Sequence, residues 1–142
     1  LNNSCNGEIM ILPAVRNSDG KQLYIALQSL PFGSGRSNVG IYYKELDDYN
    51  DFLTPAHFAK DWDGRYRSSI TSSAYSTMTL QADGALAFIY EEDTYGTSGG
   101  GYTIAYKSYT IEKITDGKYS LDKNENRALY LYKNVIAPLT KK

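Results

Sequence analysis

Short stretches in which apolar and polar residues alternate recur along most of this 142-residue chain. A period of two is typical of β-strands with one buried face, because successive side chains of a strand point to opposite faces of the sheet. About eight strands in meandering antiparallel order are predicted on this basis. The clearest runs are QLYIALQSL (22–30), NVGIYYKEL (38–46), YSTMTLQ (75–81), ALAFIYEE (85–92), YTIAYKSYTIEKI (102–114) and ALYLYKNV (128–135).

Turn-forming residues separate these runs. Asp-Gly pairs occur in NSDGK (17–21), ADGA (82–85) and TDGK (115–118), and such pairs between apolar runs are a strong hairpin signal because the turn needs positive φ. GTSGGG (96–101) predicts a flexible hairpin, since it lacks the Lys-Ser/Thr ending of a phosphate-binding loop. No helix longer than a turn or two is predicted, and no domain boundary is evident. The chain is therefore interpreted as one all-β unit over residues 1–142.

One segment breaks the alternation. Residues 47–67, DDYNDFLTPAHFAKDWDGRYR, combine polar and aromatic side chains around a proline. A long ordered connection is predicted here, and connections of this kind often carry function.

Composition excludes several classes of function. Fifteen basic and sixteen acidic residues are scattered without long runs and leave a net charge of −1, so neither nucleic acid nor an anionic membrane is an expected partner. No run approaches the ~20 apolar residues that span a bilayer, and the N-terminus lacks the order of a signal peptide. The start at Leu1 indicates a processed, proteolysed or truncated product, so any targeting segment would lie upstream.

Cysteine and histidine are too few for most metal or nucleophile chemistry. Cys5 is the single cysteine and His57 the single histidine, so neither a disulfide framework nor a His/Cys metal cluster is expected. We interpret His57 as a loop or packing residue and Cys5 as a small buried apolar residue. No cofactor is predicted, and no acidic cluster demands calcium.

The spacing of two polar residues favours one all-β architecture. Arg36 and Tyr75 each directly precede or begin a predicted strand, 39 residues apart. Four-stranded propeller blades repeat at about 40–50 residues, so this offset is expected to place both side chains at the same end of adjacent blades. Both would then lie at the starts of innermost strands and point into one shared depression.

Three stretches carry a family resemblance: SLPFGSGRSNVGIYYKELDD, SSAYSTMTLQADGALAFIYEE and GGGYTIAYKSYTIEKIT. Together with the opening NSCNGEIMIL, they resemble the final third of the catalytic propeller of bacterial sialidases (neuraminidases). The resemblance covers roughly residues 4–120, whereas residues 121–142 show none. It implies antiparallel four-stranded blades, about half of a six-bladed propeller, and hydrolysis of terminal α-linked sialic acid with retention of configuration.

The resemblance also assigns roles to residues. The third carboxylate-binding arginine of the family corresponds to Arg36 in GRSN, and the nucleophilic tyrosine to Tyr75 in AYS. The glutamate that orients the first arginine corresponds to Glu91 in IYEE, although its neighbour Glu92 is an alternative. The Asp-box is only partly present, since KELDDYNDF (44–52) lacks the Ser-x-Asp-x-Gly spacing. Without the resemblance, Tyr75 would be one of fourteen tyrosines and Arg36 a solvated surface residue.

The chemistry explains these residue types. Sialic acid carries a carboxylate on its anomeric carbon, so a carboxylate nucleophile would be repelled, whereas a neutral phenol is not. The phenol, with an ordinary pKa near ~10, needs a carboxylate to accept its proton. Arginine suits the substrate carboxylate because its planar fork donates two parallel hydrogen bonds.

Part of the family's site is absent from this sequence. Its first two arginines, its acid/base aspartate and the glutamate that activates the tyrosine all precede the matching segment, and Asp61 and Asp63 lie in the wrong part of the pattern to replace them. Two hypotheses follow. The chain is the C-terminal portion of an exo-sialidase, inactive in isolation, or it is a truncated, non-catalytic β module with residual sialic-acid binding or a structural role.

The first hypothesis implies partners and a location. The expected partners are sialic acid-terminated glycans, and either upstream propeller blades or another copy of the chain to cover the incomplete edges and faces. Because the substrates are host glycans, the resemblance implies a secreted or periplasmic protein.

Overall fold

The computed structural model describes residues 5–93, 101–123 and 136–140. Among these residues every pair of neighbouring strands is antiparallel, and each helix spans only a single turn. The all-β prediction is therefore confirmed. The strands are β1 (Ile9–Arg16), β2 (Gln22–Pro31), β3 (Val39–Leu46), β4 (Gly64–Arg67), β5 (Ser73–Leu80), β6 (Leu86–Asp93), β7 (Tyr102–Tyr109) and β8 (Tyr119–Leu121). The helices are a 3₁₀ turn (Tyr49–Phe52), α1 (Pro55–Phe58), α2 (Ile111–Ile114) and α3 (Ala137–Thr140).

The strands form two sheets. One has five strands in the order β4-β3-β2-β1-β8, and the other has three in the order β5-β6-β7. The first four strands are a meander of the expected kind, but β8 adds a fifth strand to β1 through the pairs Ala14 with Leu121 to Arg16 with Tyr119. Tyr119 is buried and packs edge-on against Tyr43, with ring centroids 6.3 Å apart. The described residues therefore form sheets of five and three strands, and the division into four-stranded blades stays a prediction.

Glycines with positive φ make the predicted turns. Gly20 (φ 72°) joins β1 to β2 and Gly84 (φ 88°) joins β5 to β6. At the third Asp-Gly pair, Asp116 and Gly117 also have positive φ, but they link α2 to β8. The predicted strand over 102–114 ends at Tyr109, because the side chain of Thr110 accepts a hydrogen bond from Lys113 N and starts a helical turn. The predicted strand at 128–135 and most of the 96–101 hairpin lie outside the described residues.

Side chains from both sheets form the hydrophobic core. Alternate residues of β2 and of β6 are fully or almost fully buried in one cluster, which also includes Ile41 and Met78. Burying one large apolar side chain contributes about 1.5–3 kcal/mol, so this cluster is the main force that holds the two sheets together. The alternating members are Leu23, Ile25 and Leu27 on β2 and Leu86, Phe88 and Tyr90 on β6.

The opposite faces of both sheets carry exposed apolar side chains. Ile89 pairs with Tyr106 and Glu91 with Ile104, so the four side chains share the face of the three-stranded sheet that points away from the core. Ile104 is 69% exposed and Tyr106 56%. On the five-stranded sheet, Ile9 and Ile11 are each 52% exposed. We call these two surfaces the outer faces.

The connection after β3 is ordered around one lysine. Lys44 is 2% exposed, and its Nζ donates hydrogen bonds to the carbonyl oxygens of Asp51, His57, Phe58 and Lys60 at 2.8–3.3 Å. Thr54 caps α1 and its hydroxyl contacts His57 Nδ1 at 2.7 Å, in agreement with a packing role for that histidine. The last residues of the predicted connection instead form β4, which pairs with β3.

Candidate functional site

Arg36 and Tyr75 are in direct contact. Arg36 lies on the exposed connection between β2 and β3, and Tyr75 lies on β5 in the other sheet. The Nη2 of Arg36 donates to Tyr75 Oη at 3.2 Å, and the guanidinium carbon is 5.0 Å from the centre of the phenol ring. Tyr75 remains 40% exposed. A cation and a phenol thus meet at the surface, where both can contact a ligand.

A β-bulge sets the direction of Tyr75. Ser73 pairs with Glu92 and Ser76 with Tyr90, so Ala74 and Tyr75 together lie opposite the single residue Glu91. An extra residue of this kind bends the strand and re-aims a side chain. Ala74 is accordingly buried while Tyr75 is exposed toward Arg36.

The bulge also places Glu91 opposite Tyr75 in the register of the hairpin. The charges of both Arg36 and Glu91 act on the thiol of Cys5. The carboxylate of the neighbouring Glu92 accepts a hydrogen bond from Ser69 Oγ at 2.8 Å. Glu91 therefore lies opposite Tyr75, whereas Glu92 pairs with Ser73 and contacts Ser69, and the choice of Glu91 over Glu92 stays a prediction.

Backbone hydrogen bonds fix the connection that carries Arg36. The carbonyl oxygen of Arg36 accepts hydrogen bonds from Ser73 N at 2.9 Å and from Ser72 Oγ at 3.2 Å. The next turn of chain is held by Asn38, whose N donates to Thr71 O at 2.9 Å and whose φ is 55°. An exposed arginine is thereby anchored at its backbone to the start of β5.

The position of Arg36 relative to the strands differs from the expectation. Tyr75 lies on β5, which is an edge strand in the sheet order β5-β6-β7. The innermost strand of a propeller blade is also an edge strand, so this agrees with the expectation for Tyr75. Arg36 precedes β3, which lies inside its sheet between β4 and β2, because Gly64–Arg67 forms an additional edge strand. The expectation that both residues begin innermost strands is therefore wrong for Arg36.

A groove lies beside the segment that precedes β1. It has a volume of about 490 Å³ and is lined by neither Arg36 nor Tyr75. Cys5, whose thiol pKa is affected by the charges of Arg36 and Glu91, is one of its lining residues. The remaining lining residues are Gly7, Ile9, Gln28, Leu30, Tyr42, Phe58, Ala59 and Trp62.

The segment before β1 makes contacts that the sequence analysis did not predict. Residues 5–8 run along the free edge of β5: Asn6 O accepts from Ser76 N at 3.3 Å, and the Glu8 carboxylate accepts from Met78 N at 2.8 Å and from the Thr77 hydroxyl. These contacts join residues about 70 positions apart, so no local pattern could reveal them.

Cys5 differs from its predicted state. It is half-buried, not fully buried, because it lies in this edge segment. Burial raises the pKa of its thiol, the nearby Arg36 charge lowers it, and Glu91 raises it. Cys5 is therefore a neighbour of the candidate site.

Metal-binding clusters and membrane-spanning helices do not occur in the part of the chain described. No group of three metal-binding side chains occurs among those residues, and none of their helices is long and apolar enough to cross a membrane. Asp63 accepts a hydrogen bond from Glu45 N at 2.6 Å, which gives it a structural role next to β3.

Comparison with known proteins adds no identification. No model of a known protein family matches the chain, and no curated protein matches it at a significant level.

Proposed function

We propose that this chain is the C-terminal portion of an exo-α-sialidase, which hydrolyses terminal sialic acid from glycoconjugates with retention of configuration. The observation that supports this most is the contact between Arg36, on the connection before β3, and Tyr75, which lies 39 positions later on β5 of the other sheet. A guanidinium and a phenol are the two groups that a sugar acid needs at its anomeric centre: one binds its carboxylate and the other attacks the adjacent carbon.

In this proposal Arg36 donates two hydrogen bonds to the substrate carboxylate, and its present bond to Tyr75 Oη is exchanged for that contact. The phenolic oxygen of Tyr75 then forms a bond to the anomeric carbon as the glycosidic bond breaks. The phenol proton passes to a carboxylate base, and an acid protonates the leaving oxygen. Water subsequently hydrolyses the glycosyl-tyrosine with the acid acting as base. Glu91 orients a further arginine of the carboxylate-binding set.

The acid, the base and the other arginines come from an upstream region in this proposal. The two sheets are then part of a six-bladed propeller, and the outer faces carry the exposed isoleucines because further blades, or another copy of the chain, pack there. Terminal sialic acids belong to extracellular glycans, so the protein acts after secretion or export to the periplasm.

Ligand binding tests the site in the 142-residue chain. N-acetylneuraminic acid, titrated while NMR signals are followed, is expected to shift residues around Tyr75. Arg36→Ala should weaken this binding roughly 30- to 150-fold, for a loss of about 2–3 kcal/mol. Arg65→Ala is the matched control, because Arg65 also lies over an aromatic ring, that of Phe32 at 5.1 Å, outside the site. Absence of binding, or equal losses in both variants, would contradict the proposal.

Turnover tests the reaction itself. A longer polypeptide that joins the upstream region to this chain is expected to hydrolyse a fluorogenic sialoside, and Tyr75→Phe should abolish the reaction while leaving sialic acid bound. Tyr106→Phe, a tyrosine on the outer face, should retain activity. If Tyr75→Phe remains active, the nucleophile is wrongly assigned. If the longer protein binds without turnover, a non-catalytic sialic-acid-binding module becomes the better interpretation.

A further inference from the structure

The backbone of Arg36 is held by a directed chain of hydroxyl groups that begins on the third strand of the smaller sheet. Ser72 Oγ lies 3.2 Å from Arg36 O and 2.8 Å from Tyr102 Oη. A carbonyl oxygen can only accept, so the single proton of Ser72 points at Arg36. The hydroxyl of Tyr102 must then be the donor to Ser72. The order is Tyr102 O–H to Ser72 O–H to the Arg36 carbonyl.

The backbone carbonyl of Ser72 is also held by a hydrogen bond. Its oxygen accepts from Asp93 N at 2.8 Å, at the end of β6, and Asp93 pairs with Tyr102 at the start of β7. Consecutive hydrogen bonds polarise one another. The bond that Ser72 accepts from Tyr102 therefore strengthens the bond that Ser72 donates to the Arg36 carbonyl. The ends of β6 and β7 are therefore linked through Ser72 to the Arg36 backbone.

We propose that Ser72 and Tyr102 are positioning residues that hold Arg36 against Tyr75 and thereby set the affinity of this site for a sugar carboxylate. Neither hydroxyl touches the ligand in this inference, since both act through the Arg36 backbone. The choice of ligand rests on the proposed sialidase function, whereas the positioning of Arg36 does not.

The first measurement needs no ligand. In the 142-residue chain, the ¹³Cζ resonance of Tyr75, assigned by Tyr75→Phe, reports whether the guanidinium is in contact with the phenol. Arg36→Ala defines the position of this resonance without the contact. Ser72→Ala and Tyr102→Phe are expected to move the resonance in the same direction by a smaller amount.

Two controls separate positioning from a general structural effect. Ser72→Thr keeps the hydroxyl and should restore the wild-type resonance. Tyr106→Phe removes a hydroxyl from the same strand, one that accepts from Gln81 Nε2 at 3.1 Å, and should leave the resonance in place. Tyr102 is 39% exposed and its ring is kept in Tyr102→Phe, so this variant is expected to fold even if Ser72→Ala does not.

The second measurement uses N-acetylneuraminic acid as the probe. Ser72→Ala and Tyr102→Phe should each weaken its binding roughly three- to tenfold, the loss typical of one hydrogen bond. An unmoved Tyr75 resonance in both variants, or an equal displacement in Tyr106→Phe, would overturn the inference. If the resonance moves as expected but the wild-type chain does not bind sialic acid, positioning of Arg36 is supported and the proposed function fails.

Discussion

The phenol of Tyr119 donates a hydrogen bond to the carboxylate of Glu45, 74 residues away in sequence. The same carboxylate accepts two hydrogen bonds from Arg16, so β8, β1 and β3 are joined at one end of the larger sheet. Burial, followed by the contact with Glu45, raises the pKa of Tyr119 well above its ordinary value.

This pKa shift predicts alkaline sensitivity. A tyrosine whose folded pKa lies above its unfolded value contributes stability that is fully present below about pH 10 and is lost as pH rises further, because the unfolded chain ionises first. Tyr119→Phe should lower the free energy of unfolding by about 1.5 kcal/mol at pH 7. It should also remove part of the decline above pH 10. Urea unfolding between pH 7 and pH 11 measures both effects, and parallel declines in wild type and variant would contradict this assignment.

Replacement of Lys44 by methionine should loosen the connection after β3. The change removes a buried ammonium and leaves four carbonyl oxygens without their shared donor, so the free energy of unfolding is expected to fall by about 1–3 kcal/mol. Hydrogen exchange should increase first in the 3₁₀ turn and α1. Lys21→Met is the control, because Lys21 is half exposed and makes a surface ion pair with Asp47 at 2.6 Å.

The reactivity of Cys5 should report the charges of the candidate site. Arg36 lowers and Glu91 raises the pKa of this thiol, so Arg36→Ala should slow alkylation at neutral pH and Glu91→Gln should accelerate it. Rates of iodoacetamide reaction against pH give the pKa in each variant. If both substitutions change the rate in the same direction, the two side chains are not placed around Cys5 as described.

The outer faces should drive association. We expect the 142-residue chain to form oligomers or to bind a companion polypeptide, and Ile104→Lys or Ile11→Lys to reduce this association. Ile70→Lys is the control, since Ile70 is 80% exposed but lies outside the strands. Light scattering over a range of concentrations provides the measurement. A monodisperse wild-type monomer would favour a self-contained fold.

The strands and turns that depend only on neighbouring residues could be predicted from local sequence patterns. Alternation located β2, β3, β5, β6 and β7, and Asp-Gly pairs located the turns at Gly20 and Gly84, since both depend on neighbouring residues only. The predicted runs do not include β1 or β8. The pattern over 102–114 was wrong beyond Tyr109, because the Thr110 side chain caps a helical turn that an apolar period of two does not exclude. Likewise, β4 was missed because GRYR is short and follows a segment rich in polar residues.

Features that depend on contacts between residues distant in the sequence could be predicted only in part. The spacing and the resemblance led to an expected meeting of Arg36 and Tyr75, and the structure places them in contact. The contribution of Tyr102 and Ser72 could not be predicted, because hydroxyl chains have no sequence period. The edge contacts of Asn6 and Glu8 depend on how the two sheets stack, which no single stretch encodes.

The pairing of β8 with β1 has a consequence for the order of folding. The first four strands pair with their neighbours along the chain, whereas Ser120 reaches Asn17 across 103 residues. Closing so long a loop is slow, since its entropy is lost before the new contacts form. During synthesis, one edge of β1 is therefore expected to stay unpaired until the strands of the smaller sheet have been made. The pairing with β8, which buries Tyr119, forms last in the larger sheet.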